Sequence, residues 1–178
     1  MTCIVGIKYD NSVYIGGDTL GSNGYSKVVR SDEKVFRNGP FVMGFTSSYR
    51  MGQLLKYALV PPPVDETNLN HYMVVDFINA VRACLKEGGW QQTDDGQERG
   101  GTFIVGYKDK LFSIHGDFQV GINADGYDAV GCGENFALGS LHSTTGDPKV
   151  RIRKAIAAAA HNSTGVGGPV TILKTKEK

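Results

Sequence analysis

The second residue of the chain, Thr2, could act as a nucleophile once it becomes the first. A small residue after the initiator methionine permits removal of Met1, which would leave Thr2 with a free α-amino group. Such an amine has a pKa of about 8 and can accept a proton at neutral pH. Because it belongs to the same residue as the threonine hydroxyl, it could serve as the general base, directly or through a water. The chemistry that these two groups predict is attack on an amide carbonyl.

Two charged residues occur where they could tune this nucleophile. Asp18 ends the second predicted strand after two glycines, and Lys34 begins the third. A lysine ammonium near the amine would disfavour the protonated amine, and the aspartate would hold that lysine in place. The alternative is that Asp18 caps a turn and that Lys34 is an exposed charge at a strand edge, because most Asp and Lys side chains are solvated.

Two β-hairpins are predicted to position these residues. Short β-rich runs, separated by turn signals, occur at residues 2–7, 13–18, 34–37 and 41–45. Pairing of the first two strands returns the end of the second strand to the start of the first. We therefore expect Asp18 to lie beside Thr2.

The remainder of the chain alternates in blocks of helices and strands. Helices are predicted from the hydroxyl caps at residues 46–48 to Ala58, over roughly residues 70–87, from about Glu134, and from Asp147-Pro148 to about His161. Residues 91–101 are predicted as a loop, and further strands at 102–107, 111–114, 118–120, 129–132 and 170–173. Blocks of this kind favour an α+β domain with mostly antiparallel pairing over alternating βαβ units.

Six motifs occur in order along nearly the whole chain: TCIVGI at 2–7, GGDT at 16–19, SDEKV at 31–35, MGFTSS at 43–48, GTFIVG at 101–106 and VGCGENFALG at 130–139. Together they resemble the β-type subunits of proteasomes and their bacterial relatives, within the N-terminal-nucleophile hydrolases. The resemblance keeps its register without gaps from Thr2 through Ser48. It implies one proteasome-β-like domain over residues 1–178, folded as a four-layer αββα sandwich.

The resemblance also implies roles for individual residues. Thr2 would be the nucleophile, Lys34 would tune it, and Asp18 would orient both Lys34 and the amine. The backbone N–H of Ser48, at the start of the first long helix, matches the donor that stabilises the oxyanion. Positions that would bind the substrate, an extended peptide added as a strand, are Ser22, Thr46 and Arg50.

The chain departs from the family pattern around this site. Cys132 stands where the family usually has serine, and Leu20 where it usually has arginine. The supporting aspartate near the end of the last helix falls on Asn162 or Ser163. We expect Cys132, Asn162 and Ser163 to support the site in place of the family's residues.

These departures leave three functions open. The first is a threonine-type peptidase subunit that acts on peptides or unfolded proteins inside a homo-oligomeric ring, with an ATPase unfoldase as a further partner. The second is a catalytically silent ring or scaffold subunit, which retention of Met1 would favour. The third is a small-molecule amide hydrolase, since one fold hosts many chemistries. None of them requires a cofactor or metal, and the four histidines show no ligand spacing.

Ring assembly should involve the second predicted helix. Helical spacing places five apolar side chains on its core face: Val74, Phe77, Ile78, Val81 and Leu85. Tyr72, Met73 and Val75 fall outside that face. Because exposed apolar groups need cover, we expect these three to meet a neighbouring subunit.

Composition excludes several classes of partner and location. The chain has 19 Lys plus Arg and 18 Asp plus Glu, a net charge of +1, which argues against nucleic acid as a partner. It has no apolar run of membrane-spanning length and no signal-like start, so no membrane partner is expected. Three unpatterned cysteines are typical of a reducing cytoplasm, and Cys3 and Cys132 are predicted to be small buried apolar residues.

Overall fold

The computed structural model describes residues 1–176. In chain order its strands are β1 (Ile4–Tyr9), β2 (Ser12–Asp18), β3 (Leu20–Ser22), β4 (Lys27–Val29), β5 (Val35–Asn38), β6 (Phe41–Phe45), β7 (Gln92–Asp94), β8 (Gln97–Arg99), β9 (Phe103–Tyr107), β10 (Lys110–Ile114), β11 (Val120–Gly121), β12 (Tyr127–Val130) and β13 (Val170–Lys174). The helices are α1 (Tyr49–Tyr57), α2 (Leu69–His71), a π-helical segment (Tyr72–Phe77), α3 (Ile78–Glu87), α4 (Glu134–His142) and α5 (Pro148–Asn162).

Two antiparallel sheets form the centre of the fold. The first has the strand order β12-β1-β2-β13, and the second has the order β11-β10-β9-β6-β5. The predicted hairpins are β1–β2 and β5–β6. In the first of them Ile4 lies opposite Gly17, so the chain before β1 runs beside the end of β2.

Three apolar clusters define four layers. The middle cluster fills the space between the sheets with branched side chains such as Ile4, Ile15 and Ile104, all fully buried. A second cluster joins the five-stranded sheet to α1, the π-helical segment and α3. The third joins the four-stranded sheet to α4 and α5. This order of layers is the predicted αββα sandwich.

The helices begin where the sequence indicated. The Ser48 hydroxyl caps α1 by accepting a hydrogen bond from the Arg50 N–H at 3.0 Å. Asp147 caps α5 by accepting from the Val150 N–H at 2.9 Å, and Pro148 occupies the first turn. Within residues 1–176, none of the helices combines the length and the apolar character that spanning a membrane requires.

The π-helical segment corrects the predicted faces of the second helix. One wider turn rotates the side chains before it relative to those after it. Tyr72 and Met73, which we expected outside the core face, are therefore buried, whereas Val74, predicted to face the core, is 56% exposed. Val75 is exposed as predicted. Phe77, at the end of the segment, and α3 keep their predicted buried positions.

A hairpin replaces the loop predicted at residues 91–101. Residues 91–101 contain β7 and β8, joined by Asp95 and Gly96, which both have positive φ angles (49° and 79°) as a tight two-residue turn requires. β3 and β4 also pair as an antiparallel hairpin, joined by the four residues 23–26, near the site described below. The short strands predicted at 118–120 and 129–132 lie slightly displaced, as β11 and β12.

Candidate active site

A buried carboxylate organises the end of β2. The Asp18 side chain accepts four hydrogen bonds: Lys34 Nζ (2.9 Å) and the Cys3 N–H (3.0 Å) donate to Oδ1, and the N–H groups of Leu20 and Gly167 (both 3.2 Å) donate to Oδ2. Asp18 is completely buried. Its oxygens therefore exchange water entirely for protein donors, as a buried charge requires.

Lys34 forms the cationic half of this arrangement. Its side chain is 1% exposed, and Nζ also donates to the Leu20 carbonyl at 2.7 Å. Burial lowers the pKa of Lys34 below its usual range, and the neighbouring Asp18 carboxylate opposes that effect. The alternative that Lys34 is an exposed strand-edge charge is wrong. Lys34 and Asp18 form a desolvated ion pair, and this pair contacts the backbone of Cys3, the residue after Thr2.

Thr2 is buried, and with Met1 attached both its backbone N–H and its hydroxyl form hydrogen bonds. Its backbone N–H donates to Cys132 Sγ at 3.3 Å, and its hydroxyl donates to the Met1 carbonyl. Gly131 permits this close packing: its φ is 105°, and a Cβ there would lie 2.3 Å from the Thr2 carbonyl oxygen and 3.1 Å from Thr46 Oγ1. Removing Met1 would leave the α-amino group beside the Cys132 sulfur.

The three residues predicted to support the site have different surroundings. Cys132 Sγ lies 3.4 Å from Ser163 Oγ, which also accepts a hydrogen bond from the Gly165 N–H. Asn162 instead donates to the Ala158 carbonyl within its own helix, at 2.8 Å. Thr2, Cys132 and Ser163 therefore lie in one chain of contacts, which Asn162 does not join.

The cysteines differ from each other more than we predicted. Cys3 is fully buried, as expected, and burial together with Asp18 raises its pKa to about 12. Cys132, predicted to be buried, is exposed. It directly precedes the turn into α4, where its side chain faces Thr2 and solvent rather than the apolar cluster. Of these two cysteines, Cys3 behaves as a small core residue and Cys132 does not.

The predicted oxyanion donor lies at the start of α1. The Ser48 N–H donates to the Thr46 carbonyl at 2.8 Å, across Ser47, whose φ of 67° is left-handed. Ser47 Oγ accepts from the Thr102 N–H at 3.0 Å, which fixes this tight turn to the five-stranded sheet. An oxyanion bound by Ser48 would have to take the place of the Thr46 carbonyl.

A cleft of about 160 Å³ opens beside Thr2. Ser22 and Thr46, two of the predicted substrate-binding residues, line it. Arg50 does not: its guanidinium donates to the Gly88 carbonyl at 3.1 Å, at the end of α3. The preceding residue, Tyr49, lines the cleft instead. Sequence reasoning missed Tyr49, although an aromatic residue in the first turn of the helix capped by Ser48 is a signal that could have identified it.

Comparison with known proteins relates this arrangement to solved structures. No family model matches the chain, and no curated protein does. BPH from Thiobacillus denitrificans in complex with epoxomicin has 20% identity and a TM-score of 0.78, covering 99% of each chain. Eukaryotic HslV from Trypanosoma brucei has 21% identity and a TM-score of 0.72, covering 97% of this chain and 98% of that one.

A third structure, the Anbu (Gly-1) mutant from Hyphomicrobium sp. strain MC1, has 15% identity and a TM-score of 0.68, covering 97% of this chain and 80% of that one. At such identities the likeness concerns the fold. The αββα layers, the antiparallel sheets and these three similarities lead to one conclusion: the chain has the proteasome-like fold of the N-terminal-nucleophile hydrolases, which its motifs implied.

Proposed function

We propose that the chain is a threonine-type peptidase subunit in which Thr2, exposed by removal of Met1, is the nucleophile. One observation carries the proposal: the fully buried Asp18 carboxylate holds both the Lys34 ammonium and the N–H of Cys3, immediately after Thr2. A desolvated ion pair is costly to maintain for stability alone. Placed next to a hydroxyl and a potential free amine at the edge of a cleft, it supports a catalytic role.

The reaction would use two groups of the same residue. Thr2 Oγ attacks the carbonyl carbon of the scissile amide, and its proton passes to the α-amino group, directly or through a water. The tetrahedral intermediate collapses to an ester on Oγ as the leaving amine takes that proton. Water then hydrolyses the ester by the reverse proton path, which releases the acid and restores the free Thr2 amine and hydroxyl.

The developing oxyanion would be stabilised by the start of α1. The Ser48 N–H exchanges the Thr46 carbonyl for the oxyanion, a charge that such a donor binds more strongly than a neutral carbonyl. Lys34 acts through its charge, which disfavours protonation of the nearby amine and keeps the base neutral near pH 7. Asp18 keeps the ammonium in position.

The cleft would hold an extended peptide. β3 pairs with β4 along one edge, and Ser22 at its end lines the cleft together with Thr46. A substrate strand lying against this edge presents its carbonyl to Thr2. The substrate would be a peptide or unfolded protein, hydrolysed inside a homo-oligomeric ring to which an ATPase unfoldase could deliver it.

Substitution of the nucleophile tests this function. The protein without Met1 should hydrolyse a fluorogenic peptide amide, and Thr2→Ala should abolish turnover while leaving the circular dichroism spectrum unchanged. Cys132→Ser serves as the matched control, because a hydroxyl can accept the same hydrogen bond from the Thr2 amine; its activity should stay the same or rise slightly. Turnover that survives Thr2→Ala would contradict the proposal.

The alternative is that the chain is a catalytically silent ring subunit, as it would be wherever Met1 is retained. While Met1 is attached, the Thr2 nitrogen is a peptide N–H bonded to Cys132 and cannot act as a base. The mass of the N-terminal peptide from cells distinguishes the two functions: loss of Met1 is expected for the peptidase, and full retention would assign the chain to the silent class.

A further inference from the structure

Tyr49 separates the cleft beside Thr2 from a second cavity. It is the first residue of α1, and together with Phe45 it lines both spaces: the cleft of about 160 Å³ and a neighbouring cavity of about 100 Å³ that also includes Asp32 and Lys56. The two rings meet edge to face, with centroids 5.7 Å apart. We call these two packed rings, which line both spaces, the wall.

Arg30 fixes the position of this wall. Its guanidinium carbon lies 3.9 Å from the centroid of the Tyr49 ring, and the same group forms a two-point ion pair with Asp32, of which Nε–Oδ1 is 2.7 Å. The stem of Arg30 packs beneath Gly21, where a Cβ would lie 3.0 Å from Cδ. The ring is thereby held from one side by a cation that already has its counter-charge.

The wall depends on the ring and not on the hydroxyl of Tyr49. Within residues 1–176 that hydroxyl is buried and finds no hydrogen-bond partner. Burial also raises the pKa of Tyr49 to about 12, so the group stays neutral at physiological pH. A phenylalanine ring would therefore close the cleft equally well, which provides a matched control.

We propose that Tyr49 limits the size of the substrate side chain that the cleft accepts, so that the site selects peptides with a small, uncharged residue next to the scissile bond. The inference rests on the proposed function. Once Met1 is removed, the cleft must hold part of the peptide backbone as well as this side chain, and none of the nine remaining lining residues within 1–176 has a charged side chain. Removal of Met1 opens the cleft on the Thr2 side, whereas the Tyr49 side stays closed.

Hydrolysis of fluorogenic tetrapeptides that differ only in the residue before the scissile bond tests the wall. For the wild-type protein, kcat/KM with Ala or Val should exceed that with Phe by at least about tenfold, the discrimination that pocket size can supply. Tyr49→Ala should raise the ratio of kcat/KM for the Phe peptide to that for the Ala peptide by at least about tenfold, because loss of the ring joins the two cavities. Tyr49→Phe should retain the wild-type ratio, as should Tyr57→Ala, which alters the second cavity only.

A binding measurement separates this inference from the proposed function. Calorimetry measures the affinity of the inactive Thr2→Ala variant for the corresponding tetrapeptide amides, and so reports the size limit without turnover. If Tyr49→Ala does not fold, Tyr49→Val takes its place. Size-selective binding without wild-type turnover would support the wall and contradict the peptidase. If the wild-type protein hydrolysed Phe and Ala peptides at equal rates, or if Tyr49→Ala left the Phe-to-Ala ratio of kcat/KM unchanged, the size limit set by Tyr49 would be wrong. The proposed peptidase function would stand. Absence of both binding and turnover would overturn both proposals.

Discussion

At the scale of single residues, the Asp18–Lys34 pair links folding to the proposed chemistry. Each charge is nearly or completely removed from solvent, and each is satisfied by backbone groups as well as by its partner. A buried pair of this kind adds little net stability over an apolar pair, but removal of one partner leaves an uncompensated charge. The same residues therefore hold the chain before β1 in place and set the charge near Thr2.

This uncompensated charge gives the first prediction. Lys34→Ala should lower the free energy of unfolding by about 3–5 kcal/mol, because it leaves the Asp18 carboxylate buried alone. Lys8→Ala is the matched control: Lys8 pairs with Asp109 at 3.2 Å, but both side chains are more than a third exposed, so its loss should cost less than about 1 kcal/mol. Urea unfolding measures both values, and equal costs would show that the Lys34 pair is not desolvated.

The cysteines give a second prediction at this scale. Because burial raises the pKa of Cys3 to about 12, the folded chain keeps this thiol protonated where an unfolded chain would ionise it. The stability that Cys3 contributes is therefore present below the usual pKa of 9.0 and falls as pH rises from there toward 12. At pH 8 iodoacetamide should modify exposed Cys132 and leave Cys3 unmodified, as read by peptide mass spectrometry. Faster modification of Cys3 than of Cys132 would contradict the burial described.

At the scale of the elements, the π-helical segment determines which side chains of its helix face the core. Met73 is fully buried and Val74, the next residue, is 56% exposed. Met73→Ala should therefore lower the free energy of unfolding by about 2–5 kcal/mol. Val74→Ala, measured below the concentration at which subunits associate, should change it by less than about 0.5 kcal/mol. If denaturant unfolding showed that Val74→Ala lowers the free energy of unfolding more than Met73→Ala does, the segment would instead be a regular α-helix with Val74 facing the core.

The sequence predicts the elements that depend on local signals and misses features that depend on side-chain direction. Turn residues identify the β1–β2 and β5–β6 hairpins, and Asp147-Pro148 identifies the start of α5. The π-helical segment has no comparable signal, because an extra residue in one turn changes the faces without changing composition. Tyr49 and Arg50 illustrate the same limit within the site: consecutive helical residues point about 100° apart, and only the fold decides which of them faces the cleft.

At the scale of the whole molecule, the sandwich leaves apolar side chains uncovered on its helical surface. Val75 is exposed on the π-helical segment, as the sequence indicated, and Val74 is exposed in place of Tyr72 and Met73. Adjacent exposed valines need cover, and we expect a second copy of the chain to provide it. Light scattering should therefore detect a homo-oligomer, and Val74→Asp combined with Val75→Asp should dissociate it. A monomer at all micromolar concentrations would contradict this assembly.

Identification of the residue that reacts with a hydroxyl-directed covalent peptide inhibitor tests the central claim most directly. In protein that lacks Met1, the adduct should form on the N-terminal peptide at Thr2, as read by mass spectrometry, because the free amine activates the adjacent hydroxyl. Protein that retains Met1 should give no adduct, and neither should Thr2→Ala. Labelling confined to Cys3 or Cys132, or an adduct that persists in Thr2→Ala, would contradict the account.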